Sequence, residues 1–165
     1  MADDTNGKTE PAQATIPTPP KIQIMNQYIR DLSFENLAMQ KGTKPGGAPQ
    51  FKVQVALDAR KLGEQYEVIN KLTVTGIVDG ADIFIIELDY AGLFSIDNVA
   101  ENQLHPILMV ECPRLLFPYL RRVVGDLTRD GGYPPLNLDN IDYVTLYKNE
   151  ITRRVQEQAK NATVS

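Results

Sequence analysis

The amino-acid sequence predicts an α+β fold, a four-stranded antiparallel sheet followed by helices packed on it. Three observations carry this: four segments before residue 97 alternate apolar and polar side chains with a period of two, Asp79-Gly80 marks a tight hairpin turn, and after Ile96 the apolar spacing lengthens to that of helices. Strands first and helices afterwards describe a sheet covered on one side rather than a chain of βαβ units.

The first strand runs from residue 22 to about 34, with Ile22, Ile24, Tyr28, Leu32 and Phe34 in phase. In the second, Phe51, Val53, Val55 and Leu57 oppose Lys52, Gln54 and Asp58. The third sets Tyr66, Val68, Leu72, Val74 and Val78 against Glu67, Lys71, Thr73 and Thr75. Beyond the Asp79-Gly80 turn, Phe84, Ile86, Leu88 and Tyr90 share one face of the fourth strand, while Ile83, Ile85, Glu87 and Asp89 share the other. A Gly- and Pro-rich loop, 39–50, separates the first two strands. Asp97 or Asn98 is expected to cap a helix that begins near Val99 and carries Leu104, Leu108 and Met109. Pro113 and Pro118 should kink or interrupt it, because each lacks a backbone donor and crowds the preceding turn. Leu116, Leu120, Val123, Val124 and Leu127 then form an apolar stripe ended by Gly131-Gly132. The loop YPPLNLDN leads through a cap at Asp139 or Asn140 into a last helix carrying Ile141, Val144, Leu146 or Tyr147, and Ile151.

A chain of 165 residues suits one domain. Residues 1–20 hold four of the 11 prolines and almost no large apolar side chains, so they read as a disordered Pro-rich tail. The domain proper is expected at 21–153, and 154–165 as a helix end with a mobile tail. Hydrophobic residues at 42% and charged ones at 23% are enough for an ordinary core. A net charge of −4 argues against nucleic acid or an anionic membrane as the main partner. The single cysteine, Cys112, excludes an internal disulfide, and with one histidine, His105, it falls short of a structural zinc site, so no metal or cofactor is expected. No apolar stretch approaches the ~20 residues of a membrane span, and the acidic N-terminus lacks a signal-peptide pattern, which points to the cytoplasm.

No HExxH, CxxC, GxGxxG or GxSxG motif is present. The GTKPGG segment at 42–47 lacks the ending of a phosphate loop, His105 reads as a packed or partly exposed imidazole rather than a general base, and Cys112 has only Arg114 nearby in sequence to activate it. Charge distribution says more. Between Leu72 and Pro113 stand Asp79, Asp82, Glu87, Asp89, Asp97, Glu101 and Glu111 with no Lys or Arg, and Asp31 and Glu35 fall on one face of the first strand, ~13 Å apart when extended. This is either a solvated face that discourages aggregation or a docking surface for a basic partner. Aromatic and apolar residues beside prolines, Phe117-Pro118-Tyr119 and Tyr133-Pro134-Pro135-Leu136 with Phe34 and Phe94, suggest a groove for apolar segments. For Phe94 and Phe117 the helix-to-sheet core is an equal reading.

The segments IRDLSFEN (29–36), FIIELD (84–89), GLFSI (92–96) and CPRLLFPYLRRVVGDLTRDGGYPPLNLDNIDY (112–143) resemble the bacterial export chaperones of the SecB family. Tyr133-Pro134-Pro135-Leu136 stands where many members have Phe-Pro-Gln-Leu. The resemblance implies a homotetramer, a dimer of dimers, that binds unfolded precursor proteins without ATP, catalyses nothing and delivers its clients to the SecA motor. It implies SecA contacts at Asp31, Glu35, Ile85 and Glu87, and a client groove with Phe34, Phe117, Tyr119, Tyr133 and Leu136. Ile86, Leu88 and Tyr90 match positions whose packing affects tetramer assembly. The competing readings are a small oligomeric ligand-binding protein or enzyme with a pocket built from Tyr119, Tyr133 and a carboxylate, and a structural assembly protein with no affinity for unfolded chains.

Overall fold

Two short turns set the sheet. Asp79 and Gly80 both lie in the left-handed region, at φ 50° and 76°, the backbone a two-residue hairpin connection needs. Gly63, at φ 62°, opens the other connection, Gly63-Glu64. The computed structural model describes residues 16–164. Its strands are β1 (Lys21–Glu35), β2 (Gln50–Leu62), β3 (Gln65–Val78) and β4 (Ala81–Asp97); its helices are α1 (Leu37–Gln40), α2 (Glu101–Pro106), a π-helical segment (Ile107–Glu111), α3 (Cys112–Asp130) and α4 (Tyr143–Thr163). β2, β3 and β4 form a meander, and β1 pairs on the far side of β4, giving the antiparallel order β1-β4-β3-β2. Of the tail expected over 1–20, residues 1–15 lie outside the described residues, and 16–20 carry no regular structure.

The helices cover the face of Phe84, Ile86, Leu88 and Tyr90. Val68, Leu72 and Val74 of β3 pack there with Leu116, Leu120 and Val124 of α3 and Tyr143 of α4, all buried. β4 is longer than the alternation around Phe84 suggests, and it pairs with β1 from Ile85 to Asp97. Gly92 lets α3 approach: a Cβ there would lie 2.7 Å from Leu116 and from Phe94.

β1 departs from the expected phase. Register shifts between Ile24 and Asn26, and between Ile29 and Asp31, each insert one residue. An inserted residue reverses the alternation, so Ile22, Ile24, Leu32 and Phe34 stay on the helix side while Tyr28 turns to the opposite face, across from Ala91.

The helical layer differs in three places. Asp97 ends β4 and Asn98 turns at φ 58°, so α2, the helix that follows the sheet, starts at Glu101 with Ala100 in the cap position. α2, the π segment and α3 are contiguous: the break expected at Pro113 is a π-helical turn with Pro106 before it and Pro113 after it, and Pro118 sits inside α3 without interrupting it. Asp142, rather than Asp139 or Asn140, caps α4 by accepting from the Thr145 N–H at 3.0 Å, which leaves Ile141 in the preceding loop. α4 runs on to Thr163, so its end falls inside the 154–165 stretch, and it is exposed from Ile151 onward.

Because the Gly92 site has no room, Gly92→Ala should lower stability by about 1–3 kcal/mol in urea unfolding. An unchanged midpoint would show that α3 does not need this close approach.

Candidate functional site

β2 is an edge strand, and its helix-side residues have a neighbour on one side only. Phe51 and Val53 are therefore 40% and 42% exposed. Opposite them stands the segment 133–142, which crosses from α3 to α4. Between the two lies a cleft of about 680 Å³ lined by Phe51, Val53, Val55, Leu136, Ile141 and Leu146. A second cleft of about 200 Å³ shares Phe51 and Leu136 with it and adds Phe84 and Tyr133. A third, about 510 Å³, shares Tyr133 with the second and reaches Met39, Lys44 and Val78. At the other end a cleft of about 370 Å³ shares Val55 and Leu146 with the largest and adds Leu57, Met109 and Tyr147. Together they make one apolar groove alongside β2.

The far wall is fastened before anything binds. Arg121 of α3 donates through Nε to the Leu138 carbonyl at 2.8 Å and through its terminal nitrogen to Asn140 Oδ1 at 2.5 Å, and its guanidinium lies 4.6 Å from the centre of the Phe117 ring. The Leu136 N–H donates to Thr128 Oγ1 at 2.9 Å, and that hydroxyl donates to the Val124 carbonyl at 3.0 Å. The Tyr133 hydroxyl donates to Asn36 Oδ1 at 2.6 Å, and Asn36 Nδ2 donates to the Gly131 carbonyl at 2.8 Å. A wall held this way has little ordering left to lose when a ligand arrives.

The expected groove residues divide. Tyr133 and Leu136 line the clefts. Phe117 is 5% exposed and packs edge-on against Tyr143, and Phe34 packs against Phe84 and over Gly131, so both serve the core instead. Tyr119 is exposed on α3 and lines none of these clefts. Phe51, Val53, Ile141 and Leu146 were not anticipated as groove residues. The alternation of Phe51 and Val53 was visible, but the sequence does not say that β2 lies at an edge.

The sheet's other face carries the acids. Across β1 and β4, Asp31 stands opposite Asp89, Ser33 opposite Glu87 and Glu35 opposite Ile85, so Asp31, Glu35, Ile85 and Glu87 come together away from the helices. Ile86, Leu88 and Tyr90 point the other way, into the core between sheet and helices. The same outer face holds a buried polar cluster: Glu67, 3% exposed, accepts from Tyr28 of β1 and pairs with Arg60 of β2 at 2.8 Å. The Tyr28 hydrogen bond, with that of Arg60 behind it, holds the Glu67 carboxyl below its ordinary value against the opposing effect of burial.

Other reactive groups are quiet. Cys112 is buried, and desolvation pushes its thiol up to about 12. His105 packs on Tyr147, with Nδ1 at 3.1 Å from its hydroxyl. Among the described residues no cluster of His, Cys, Asp and Glu could hold a metal ion, and no helix is long and apolar enough to cross a membrane.

Comparison with known proteins bears on this geometry. The family model described as preprotein translocase subunit SecB matches residues 15–154. The protein-export protein SecB of Jannaschia sp. (strain CCS1) is 55% identical over 162 residues, covering 94% of this chain and 92% of the relative. That of Dinoroseobacter shibae is 53% identical over 172 residues, covering 99% and 100%. Among solved structures, the Mycobacterium tuberculosis SecB-like chaperone in complex with a ChAD peptide from the HigA1 antitoxin has a similar fold, with a TM-score of 0.62 and 19% identity over 73% of this chain and 90% of that one. A four-stranded antiparallel sheet covered by helices on one face is thus a fold that this chain shares with that SecB-like chaperone. The chain belongs to the SecB family, whose role is protein export and is not enzymatic.

The stabilisation from the Glu67 cluster is complete above the ordinary carboxylate value and is lost as pH falls through the lowered one. Tyr28→Phe removes the larger cause, so it should cost roughly 1.5–3 kcal/mol at neutral pH and move acid unfolding, followed by circular dichroism, to a higher pH. A midpoint that stays put would mean that the cluster contributes nothing to acid stability.

Proposed function

We propose that the protein is an ATP-independent chaperone of the cytoplasm that binds unfolded precursor proteins, keeps them competent for translocation and delivers them to SecA as a homotetramer built from two dimers. The observation that carries this reading is the groove along β2: it is apolar, open at the surface and fixed by the Arg121, Thr128 and Tyr133 hydrogen bonds. A long unfolded chain would engage several such grooves at once, so each can be weak while the whole holds firmly. Folded proteins present few extended apolar segments and escape.

SecA docks, in this reading, on the outer face at Asp31, Glu35, Ile85 and Glu87, where basic groups of the partner meet carboxylates. The sheet then separates the two activities, so the motor approaches while the groove stays filled. Ile86, Leu88 and Tyr90 influence assembly indirectly, by shaping the sheet from inside the protomer. Nucleic acid and membrane insertion have no part in the proposal. The rival pocket of Tyr119, Tyr133 and a carboxylate loses its support because the two tyrosines do not share a cleft.

Leu136→Ser should weaken binding of a permanently unfolded precursor by about 10-fold in a fluorescence titration while leaving SecA affinity within about 2-fold. Glu87→Lys should do the opposite, weakening SecA by roughly 10-fold and sparing the precursor. Equal loss of both activities in either variant would refute the division between faces.

A further inference from the structure

One residue on the helix-facing side of the sheet is out of character. Between Val68 and Leu72, β3 places Asn70, fully buried, with Leu57 of β2 and Tyr90 of β4 as its cross-strand neighbours. An amide in an apolar core costs stability unless its polar atoms find partners. Asn70 Nδ2 has one, donating at 3.3 Å to the carbonyl of Pro113 near the start of α3, but Oδ1 has none. Tyr143, the first residue of α4, is in the same condition. It is 1% exposed, its ring packs edge-on against Phe117, and its hydroxyl makes no hydrogen bond among the described residues.

The two side chains lie within reach of each other. Burial pushes the Tyr143 hydroxyl well above the ordinary tyrosine value, and the group that draws it back is the Asn70 side chain. One orphan accepts and the other donates, so a single hydrogen bond from the Tyr143 hydroxyl to Asn70 Oδ1 satisfies both. Val68, Leu72, Leu116 and Phe117, which share the core cluster of Tyr143, offer no alternative. Apolar contacts are non-directional and do not by themselves fix where the first turn of α4 sits, whereas a buried polar pair is satisfied in one placement only. That turn carries Thr145 and Leu146, which line the largest cleft, and Leu146 also borders the next. Because Nδ2 holds α3 at the same time, one amide refers both helices to β3.

We infer that Asn70 and Tyr143 form a buried hydrogen-bonded latch that seats the first turn of α4 on β3, and that both are thereby positioning residues for the groove wall at Leu146. The inference rests on the chaperone reading and names what sets the width of its groove. In the described structure the contact stops short of a hydrogen bond, and settling of the first turn toward β3 closes it. The latch acts from beneath the wall, since both side chains are buried.

The test is a double-mutant cycle on the full-length protein with Asn70→Leu, Tyr143→Phe and the two combined, substitutions that change shape little. In urea unfolding either single variant should raise the unfolded fraction by about 10-fold, because the other polar atom is left buried alone, and the double variant should recover to within about 3-fold of the original protein. Amide exchange at Leu146 and Tyr147 should still quicken by about 5-fold or more in the double variant, whose core is satisfied but whose helix is no longer latched. Its affinity for a permanently unfolded precursor should fall by about 5-fold in the same preparation. Additive single effects, or a double variant with unchanged exchange at Leu146 and Tyr147, would overturn the latch. Faster exchange with unchanged precursor affinity would overturn its role in the groove. Failure of the unsubstituted protein to bind the precursor would instead overturn the chaperone reading, while the cycle and the exchange still decide the latch.

Discussion

The two-residue alternation of β4 is the constraint on which the other features depend. Each residue of that strand is committed to one side of the sheet: Ile86, Leu88 and Tyr90 to the helices, Ile85, Glu87 and Asp89 to the outer face. β4 is flanked by β1 and β3, so it cannot slip by one residue without placing Glu87 under α3 and Leu88 in water. Burying Ile86 and Leu88 thereby also fixes where the acids stand. A hydrophobic requirement on one side positions the electrostatics of the other.

The helical side adds a second constraint, because the helices do not reach across the whole sheet. α3 lies close to β4 where Gly92 has no side chain, and the chain then returns through 133–142 along β2 before α4 begins at its Asp142 cap. The strip left between that return and β2 is the groove. Its apolar lining stays partly exposed, an arrangement ordinarily disfavoured in a soluble protein and here tolerated because the wall is bonded to α3 and cannot collapse onto the strand.

The four strands and the Asp79-Gly80 hairpin were legible in the sequence because each follows from local alternation, whereas the grouping of Asp31 and Glu35 with Ile85 and Glu87 came from the family resemblance and needs the pairing of β1 with β4. What was hidden depends on relations between segments. The bulges that turn Tyr28 toward Glu67 leave no compositional mark, since either phase of β1 offers apolar residues. Phe117 and Phe34 looked like groove residues for the same reason that they belong to the core: aromatic rings beside a proline or in a strand suit both, and only the position of α3 decides. Phe51 and Val53 were missed for the converse reason, because ordinary alternating strand residues become an exposed cleft wall only when β2 proves to be the edge. The π-helical turn between Pro106 and Pro113 was visible only as a disturbance, since prolines show that the helix must adjust and not how.

The central claim, that one sheet keeps client and motor on opposite faces, is tested most directly by site-specific photo-cross-linking. With a cross-linker at position 53 in one preparation and at position 87 in another, an unfolded precursor and SecA are added together. The account predicts that the precursor is captured only from position 53 and SecA only from position 87, in the same complexes. Capture of the precursor from position 87 in comparable yield, or of SecA from position 53, would contradict it.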